Sequence, residues 1–210
     1  MTLQEFLEAF LTGMQKTTWL EYLAVFAGIA SVWYSRKEHI LVYPVGLVNT
    51  IIYIYLSFKF HLPGEASVNF YYTIMSIYGW YMWMKKDDKK EEVLLRVTWS
   101  DTTMIRNQFL FFGAFFVVIF AAETFLKHIF FEGVIPWADA FASATAFTGM
   151  WLMTRKKVES WYWWIATNIT SIPLYFTKGL VFTSVYYIVL LFMAVFGLVE
   201  WIKRAKQRHA

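Results

Sequence analysis

The chain has 210 residues, of which 59% are hydrophobic, 21% aromatic and only 16% charged, a composition outside that of soluble domains and typical of an integral membrane protein. It contains no cysteine, which excludes disulfides and thiolate metal sites. A net charge of +4 would suit a nucleic-acid partner, but the positions of the charges point to a membrane topology instead.

Residues 1–18 carry an apolar stripe of helical spacing: Leu3, Phe6, Leu7, Phe10, Leu11 and Met14. Glu5 and Glu8 flank it, unlike the basic start of a signal peptide. The stripe predicts an amphipathic helix on the outer face of the membrane, with a pairing surface for a neighbouring subunit as the alternative. Seven apolar stretches follow, each about long enough to cross a bilayer: 19–35, 40–58, 66–84, 109–128, 137–153, 160–177 and 181–202. Residues 19–84 hold the first three spans. Residues 85–108, with the run KKDDKKEE, read as a charged, solvated loop. Residues 109–130 hold the fourth span and 137–202 the last three. The basic tail 203–210 suits an anionic inner leaflet.

With seven spans, alternate connections fall on opposite sides. One side holds Lys16, Lys59, Lys127 and Lys178; the other holds the remaining fifteen of the 19 basic residues. The positive-inside rule then places the N-terminus outside and the C-terminus in the cytoplasm.

The chain also nearly repeats itself. A shift of 118 brings Trp19 onto Trp137, Ala24 onto Ala142 and Trp33 onto Trp151. A shift of 119 brings Arg36, Lys37, Asn49 and Lys59 onto Arg155, Lys156, Asn168 and Lys178. The shift of 118 returns where Gly79, Trp83 and Lys85 meet Gly197, Trp201 and Lys203. Because one span separates the two three-span units, both enter the membrane with the same orientation. The expectation is an all-α integral membrane protein with seven spans in a three-plus-one-plus-three parallel repeat, an organisation that many transporters use.

The sixth span reads SWYWWIATNITSIPLYF. Trp161, Trp164 and Asn168 stand at i, i+3 and i+7, on one helix face. Asn168 lies roughly 13 Å from the cytoplasmic start of its helix, near the middle of the hydrocarbon, where an unmet amide is costly. It must face another helix or a polar cavity. Asn49 sits at similar depth in the second span. Two readings stand together: interhelical hydrogen bonds with an interfacial tryptophan belt, to which Trp161 is nearest, or a substrate site lined by indoles and an amide. Pro173 and Pro44 suit bends, and Gly28, Ser31, Ala142, Ala144, Ala146 and Gly149 suit close helix packing. Glu21 and Asp139 start the first and fifth spans. They either attract a cation as part of an outer gate or complement helix dipoles, and Glu123 is read as interfacial.

The W-x-x-W-x-x-x-N spacing, NFYYTIMSIYGWYMW and WLMTRKKVESW resemble the PnuC-type vitamin transporters over nearly the whole chain. The resemblance implies a fold like that of the SWEET sugar carriers and a place in a bacterial plasma (inner) membrane. It also implies uptake of nicotinamide riboside by facilitated diffusion, with trapping by a separate cytoplasmic kinase; relatives carry thiamine or riboflavin. Homo-oligomers, a trimer among them, are implied too, as is the absence of any cofactor. An indole face attracts a flat cation such as the pyridinium of nicotinamide riboside by about 2 kcal/mol when water is excluded. Asn168 offers both a donor and an acceptor. Tyr72, Tyr78, Tyr186 and Tyr187 add hydroxylated walls, and Asn69, which the shift of 118 pairs with Tyr187, joins the substrate-contact set.

Competing readings are weaker. His39, His61, His128 and His209 are scattered, with no H-E-x-x-H or G-x-S-x-G motif, so neither catalytic residues nor a metal site are expected. A sensor without transport leaves the polar core without a use. Mid-depth polar residues that are amides, with paired acids near the outer ends, point away from proton or sodium coupling.

Overall fold

The computed structural model describes residues 2–59, 63–85, 95–130 and 135–207. Among these, the chain forms eight helices: α1 (Leu3–Lys16), α2 (Trp19–Arg36), α3 (Val42–Lys59), α4 (Pro63–Met84), α5 (Thr102–Phe130), α6 (Pro136–Thr154), α7 (Ser160–Thr177) and α8 (Val181–Gln207). Several starts are explained locally. Thr2 with Glu5, and Thr18 with Glu21, form reciprocal capping boxes. Asp101 accepts from the Met104 amide at 2.7 Å, and α5 therefore begins at Thr102 rather than at the expected 109. At the other end of the chain, α8 continues to Gln207, into the expected tail; residues 208–210 lie outside the described set.

Helix bounds impose one repeat register. α3 and α7 start at 42 and 160 and end at 59 and 177, α4 and α8 start at 63 and 181, and α2 and α6 end at 36 and 154, each an offset of 118. The α2–α3 and α6–α7 turns agree, since their two left-handed non-glycine residues are Glu38 (φ 56°) and Lys156 (φ 52°). The 119 shift expected for Arg36, Lys37, Asn49 and Lys59 is thereby corrected. In the observed register Asn49 corresponds to Thr167, and Asn168 to Thr50. One residue on a helix is a rotation of about 100°, so the two asparagines project differently from their helices.

Consecutive helices pack side by side within α2–α4 and within α6–α8, here called the two triples. The triples meet through α2 against α8 and α4 against α6, two contacts that the 118 register interchanges. α5 packs on α6, and α1 packs on α8 through Phe10 and Phe182, 5.8 Å apart, leaving Leu3, Leu7 and Leu11 exposed.

Much of the core lies at the end of the bundle that carries the α2–α3 and α6–α7 turns, the basic end. There the Tyr43 ring packs on Gly79 and edge-on to Trp83, 5.1 Å away, while Trp161 packs on Gly197 and edge-on to Trp201, 5.5 Å away. Such aromatic pairs contribute about 0.5–1.5 kcal/mol beyond area burial. Neither glycine has room for a Cβ, because a ring face occupies that space.

The loop expected at 85–108 is in part structured. Residues 86–94 lie outside the described set, but Val97 is wholly buried, and Thr98 forms a parallel bridge with Lys157. Apolar residues after the charge run (Val93, Leu94, Leu95, Val97, Trp99) were the available signal.

Val42–Lys59, Thr102–Phe125 and Val181–Gln207 are long and apolar enough to cross a membrane. α6 is not among them for a physical reason. It is buried by its own neighbours along most of its length and built from Ala, Thr and Gly, so its side chains pack helices together rather than face lipid. α5 is the opposite case, with Phe109, Leu110, Val117 and Val118 exposed.

Gly79→Leu and Gly197→Leu are each expected to destabilise the protein by about 1–3 kcal/mol through overpacking. Gly113→Leu, at a position with open space, is expected to be neutral. Thermal unfolding in detergent measures all three.

Candidate functional site

The α7 stripe behaves as helical spacing dictates. Trp161 is 1% exposed and Asn168 3%, and Trp164 is half-buried. The three do not share one environment. Trp161 is sealed against α8 by Gly197 and Trp201, with its Nε1–H buried and, among the described residues, without a hydrogen-bond acceptor. That burial removes the belt reading for Trp161. Trp164 instead faces α6, against Gly149, and α4, where its ring centroid lies 6.1 Å from that of Tyr72.

Tyr72 joins a wider aromatic wall. Phe147 of α6 meets it edge-on at 6.2 Å and is stacked on its other side by Tyr71 at 4.1 Å, whose hydroxyl donates to the Phe147 carbonyl at 3.0 Å. Sequence reasoning did not select Tyr71 or Phe147; the run NFYY was the signal for the first. On α8, Tyr186 and Tyr187 lie edge-on to each other, 5.7 Å apart. Tyr187 stacks on Tyr175 at 5.1 Å. Asn69 lies one turn before Tyr72 on α4, and its carbonyl accepts from Thr73. Tyr78 is exposed and takes no part in this wall.

The asparagines differ in a telling way. Asn49 donates from Nδ2 to the Ala24 carbonyl of α2 at 2.7 Å, the interhelical bond that an intramembrane amide ordinarily finds. It is held beside Gly28, where an added methyl would meet the Tyr186 hydroxyl at 2.5 Å and the Asn49 amide at 2.9 Å. Gly28 thus brings α2, α3 and α8 together. Among the described residues, no hydrogen bond uses the Asn168 side chain, although that residue is buried. The neighbouring Thr167 hydroxyl is satisfied by Trp163 and Thr145. Asn168 therefore presents a donor pair and an acceptor on the same stripe as Trp164.

The acids near the helix starts act as caps. Glu21 accepts from the Thr18 amide at 2.5 Å. Asp139 accepts from the Ile135 amide at 2.8 Å and pairs with Lys178 at 2.6 Å, tying the start of α6 to the end of α7. Among the described residues, no hydrogen bond or ion pair joins Glu21 to Asp139, and none of their groups of His, Asp or Glu could hold a metal ion.

The arrangement is a set of aromatic faces, hydroxyls and an unengaged amide where the two triples meet. Such aromatic faces and polar edges suit a flat, polar-edged molecule. The family model described as nicotinamide mononucleotide transporter matches residues 18–203. The chain belongs to that family. It is 26% identical to the nicotinamide riboside transporter PnuC of Escherichia coli, over 93% of this chain and 90% of that one. It is 27% identical to the nicotinamide riboside transporter PnuC of Neisseria mucosa, over 92% and 75% of the two chains. The riboflavin/roseoflavin transporter RibM of Streptomyces davaonensis is 22% identical over 95% and 92%. The fold matches a crystal structure of the vitamin B3 transporter PnuC with a TM-score of 0.66 at 24% identity, covering 100% of this chain and 94% of that one. This family member is a membrane transporter.

Its two asparagines should respond differently to mutation. Asn49→Leu loses the bond to Ala24 and is expected to cost about 1 kcal/mol or more. Asn168→Leu loses no internal bond and is expected to leave the melting temperature in detergent unchanged or raised.

Proposed function

We propose that this protein takes up nicotinamide riboside across the bacterial inner membrane by facilitated diffusion, and that a separate cytoplasmic kinase traps the vitamin by phosphorylation. The observation that carries the reading is the unengaged amide of Asn168, a residue only 3% exposed, one turn along α7 from Trp164, whose ring meets Tyr72. α2–α8 form seven spans in a three-plus-one-plus-three parallel repeat. The N-terminus lies outside and the basic end faces the cytoplasm, in line with the distribution of Lys and Arg. α1 lies on the outer face of the membrane.

In this reading the pyridinium stacks on Trp164, with Tyr72 as an adjoining wall, and Asn168 engages the carboxamide or a ribose hydroxyl. Asn69, Tyr187 and Asn49 line the polar side, and Trp161 supports the site from below. Passive transport is supported by the placement of the described acids. Glu21 and Asp139 are engaged at helix starts, Glu123 lies toward the outer end of α5, and Glu38, Glu159 and Glu200 lie at the basic end. Coupling carriers, by contrast, place acids at mid-membrane.

Riboflavin is the second reading, favoured by the similarity to RibM. It too is a flat aromatic with a polar edge, but it lacks the fixed positive charge. Calorimetry with nicotinamide riboside, thiamine and riboflavin separates these substrates. Trp164→Ala and Asn168→Leu are each expected to weaken nicotinamide riboside binding about tenfold or more, the loss of one desolvated cation–π or hydrogen-bond contact. Unchanged affinity in both would move the site elsewhere. Dissipating the proton gradient across liposomes is expected to leave equilibration of the vitamin unchanged; collapse of uptake would refute the passive mechanism.

A further inference from the structure

The two triples are fastened to each other at the basic end by contacts that the 118 register interchanges. Trp83 Nε1 of α4 donates to the Met153 carbonyl of α6 at 3.3 Å, and its counterpart Trp201 of α8 donates to the Ser35 carbonyl of α2 at 3.2 Å. Between these bonds, the Ser35 hydroxyl meets the Met153 sulfur at 2.9 Å. Ser35 and Met153 are themselves counterparts, so this contact lies on the pseudo-symmetry axis.

Below it, Lys156 Nζ pairs with Glu38 Oε2 at 3.3 Å, with side chains only 6% and 9% exposed. These are the two left-handed residues of the turns, in a backbone conformation that side chains with a Cβ seldom adopt. Glu38 also accepts from Arg204 of α8 at 2.9 Å, and the Lys156 ammonium lies 4.5 Å from the Trp83 ring centroid. Each partner is thus held by the opposite triple. At the other end, the Asp139–Lys178 pair stays within one triple.

The two halves of this fastening are anchored differently. The α6–α7 turn is bound to the segment before α5. The Thr98 amide donates to the Lys156 carbonyl at 3.2 Å, the Val158 amide donates to the Thr98 carbonyl at 3.1 Å, and Glu159 accepts from the Ser100 amide at 2.8 Å and the Ser100 hydroxyl at 3.0 Å. Among the described residues, Trp201, Arg204 and Lys156 reach the α2–α3 turn by side-chain and indole bonds, and each does so across the boundary between triples.

We propose that the Glu38–Lys156 pair, with the reciprocal indole bonds of Trp83 and Trp201, is the inner gate of the transport path, and that it opens by the α2–α3 turn parting from an α6–α7 turn held fixed by residues 95–101. This inference rests on the transport reading and names the moving part that it requires. A permeant crossing between the triples toward the basic end must break these contacts and need not break those to Thr98 and Ser100.

The absence of cysteine makes the test clean. Purified Ser35→Cys/Met153→Cys protein is cross-linked with a short thiol reagent and reconstituted in liposomes, with Thr98→Cys/Val158→Cys as the pair across the fixed contact. Counterflow of radiolabelled nicotinamide riboside is expected to be lost in the first cross-linked protein, restored when the link is released, and retained in the second. In a Ser35→Cys background, Glu38→Gln is expected to speed labelling of the buried thiol by a charged, membrane-impermeant reagent, which supports the gate without cross-linking. Counterflow that survives the first link, or a thiol whose labelling does not respond to Glu38→Gln, overturns the gate alone. No counterflow of any vitamin by the uncross-linked parent overturns the transport reading and the gate with it.

Discussion

An amide carried by a buried residue has to be met by another polar group, and among the described residues none hydrogen-bonds the Asn168 side chain. Asn49 shows the ordinary solution, a bond to the Ala24 carbonyl of the neighbouring helix. Asn168 instead shares its stripe with Trp164, which faces Tyr72 and the other triple. Leaving a strong donor and acceptor unused costs stability, and such a cost is usually tolerated where a ligand supplies the missing partner.

The scaffold makes this arrangement sustainable. Small residues of α6 let α5, α7 and α4 approach closely, so that Phe147, Trp164 and Tyr72 come from three different helices into one wall. At the basic end, ring faces over Gly79 and Gly197 and reciprocal indole bonds to the Met153 and Ser35 carbonyls close the interface between the triples. The aromatic wall lies where α4 meets α6 and α7, which in the proposed reading is the boundary between repeats, where repeat-built carriers put their substrates.

Much of this was legible in the sequence. Apolar stretches located the helices, Trp–Trp coincidences exposed the repeat, and helical spacing put Trp164 and Asn168 on one stripe. The register was misread by one residue because the asparagine, lysine and arginine identities coincide at 119. Helix ends, which depend on turn geometry such as the left-handed Glu38 and Lys156, fix it at 118. The burial of Trp161 depends on a glycine 36 positions away on another helix and leaves no local trace. Nor does the cross-triple pairing of Glu38 with Lys156, since each looks like an ordinary charge at a helix end. Residues 95–101 were hidden by the charged run before them, which set the expectation for the whole loop.

A structure of the protein with nicotinamide riboside bound tests the central claim most directly. The account predicts the pyridinium ring against Trp164, within reach of Tyr72, with the Asn168 amide at hydrogen-bonding distance from the carboxamide or ribose. A ligand seated elsewhere, or Trp164 and Asn168 turned toward the acyl chains with no space between the triples, would contradict it.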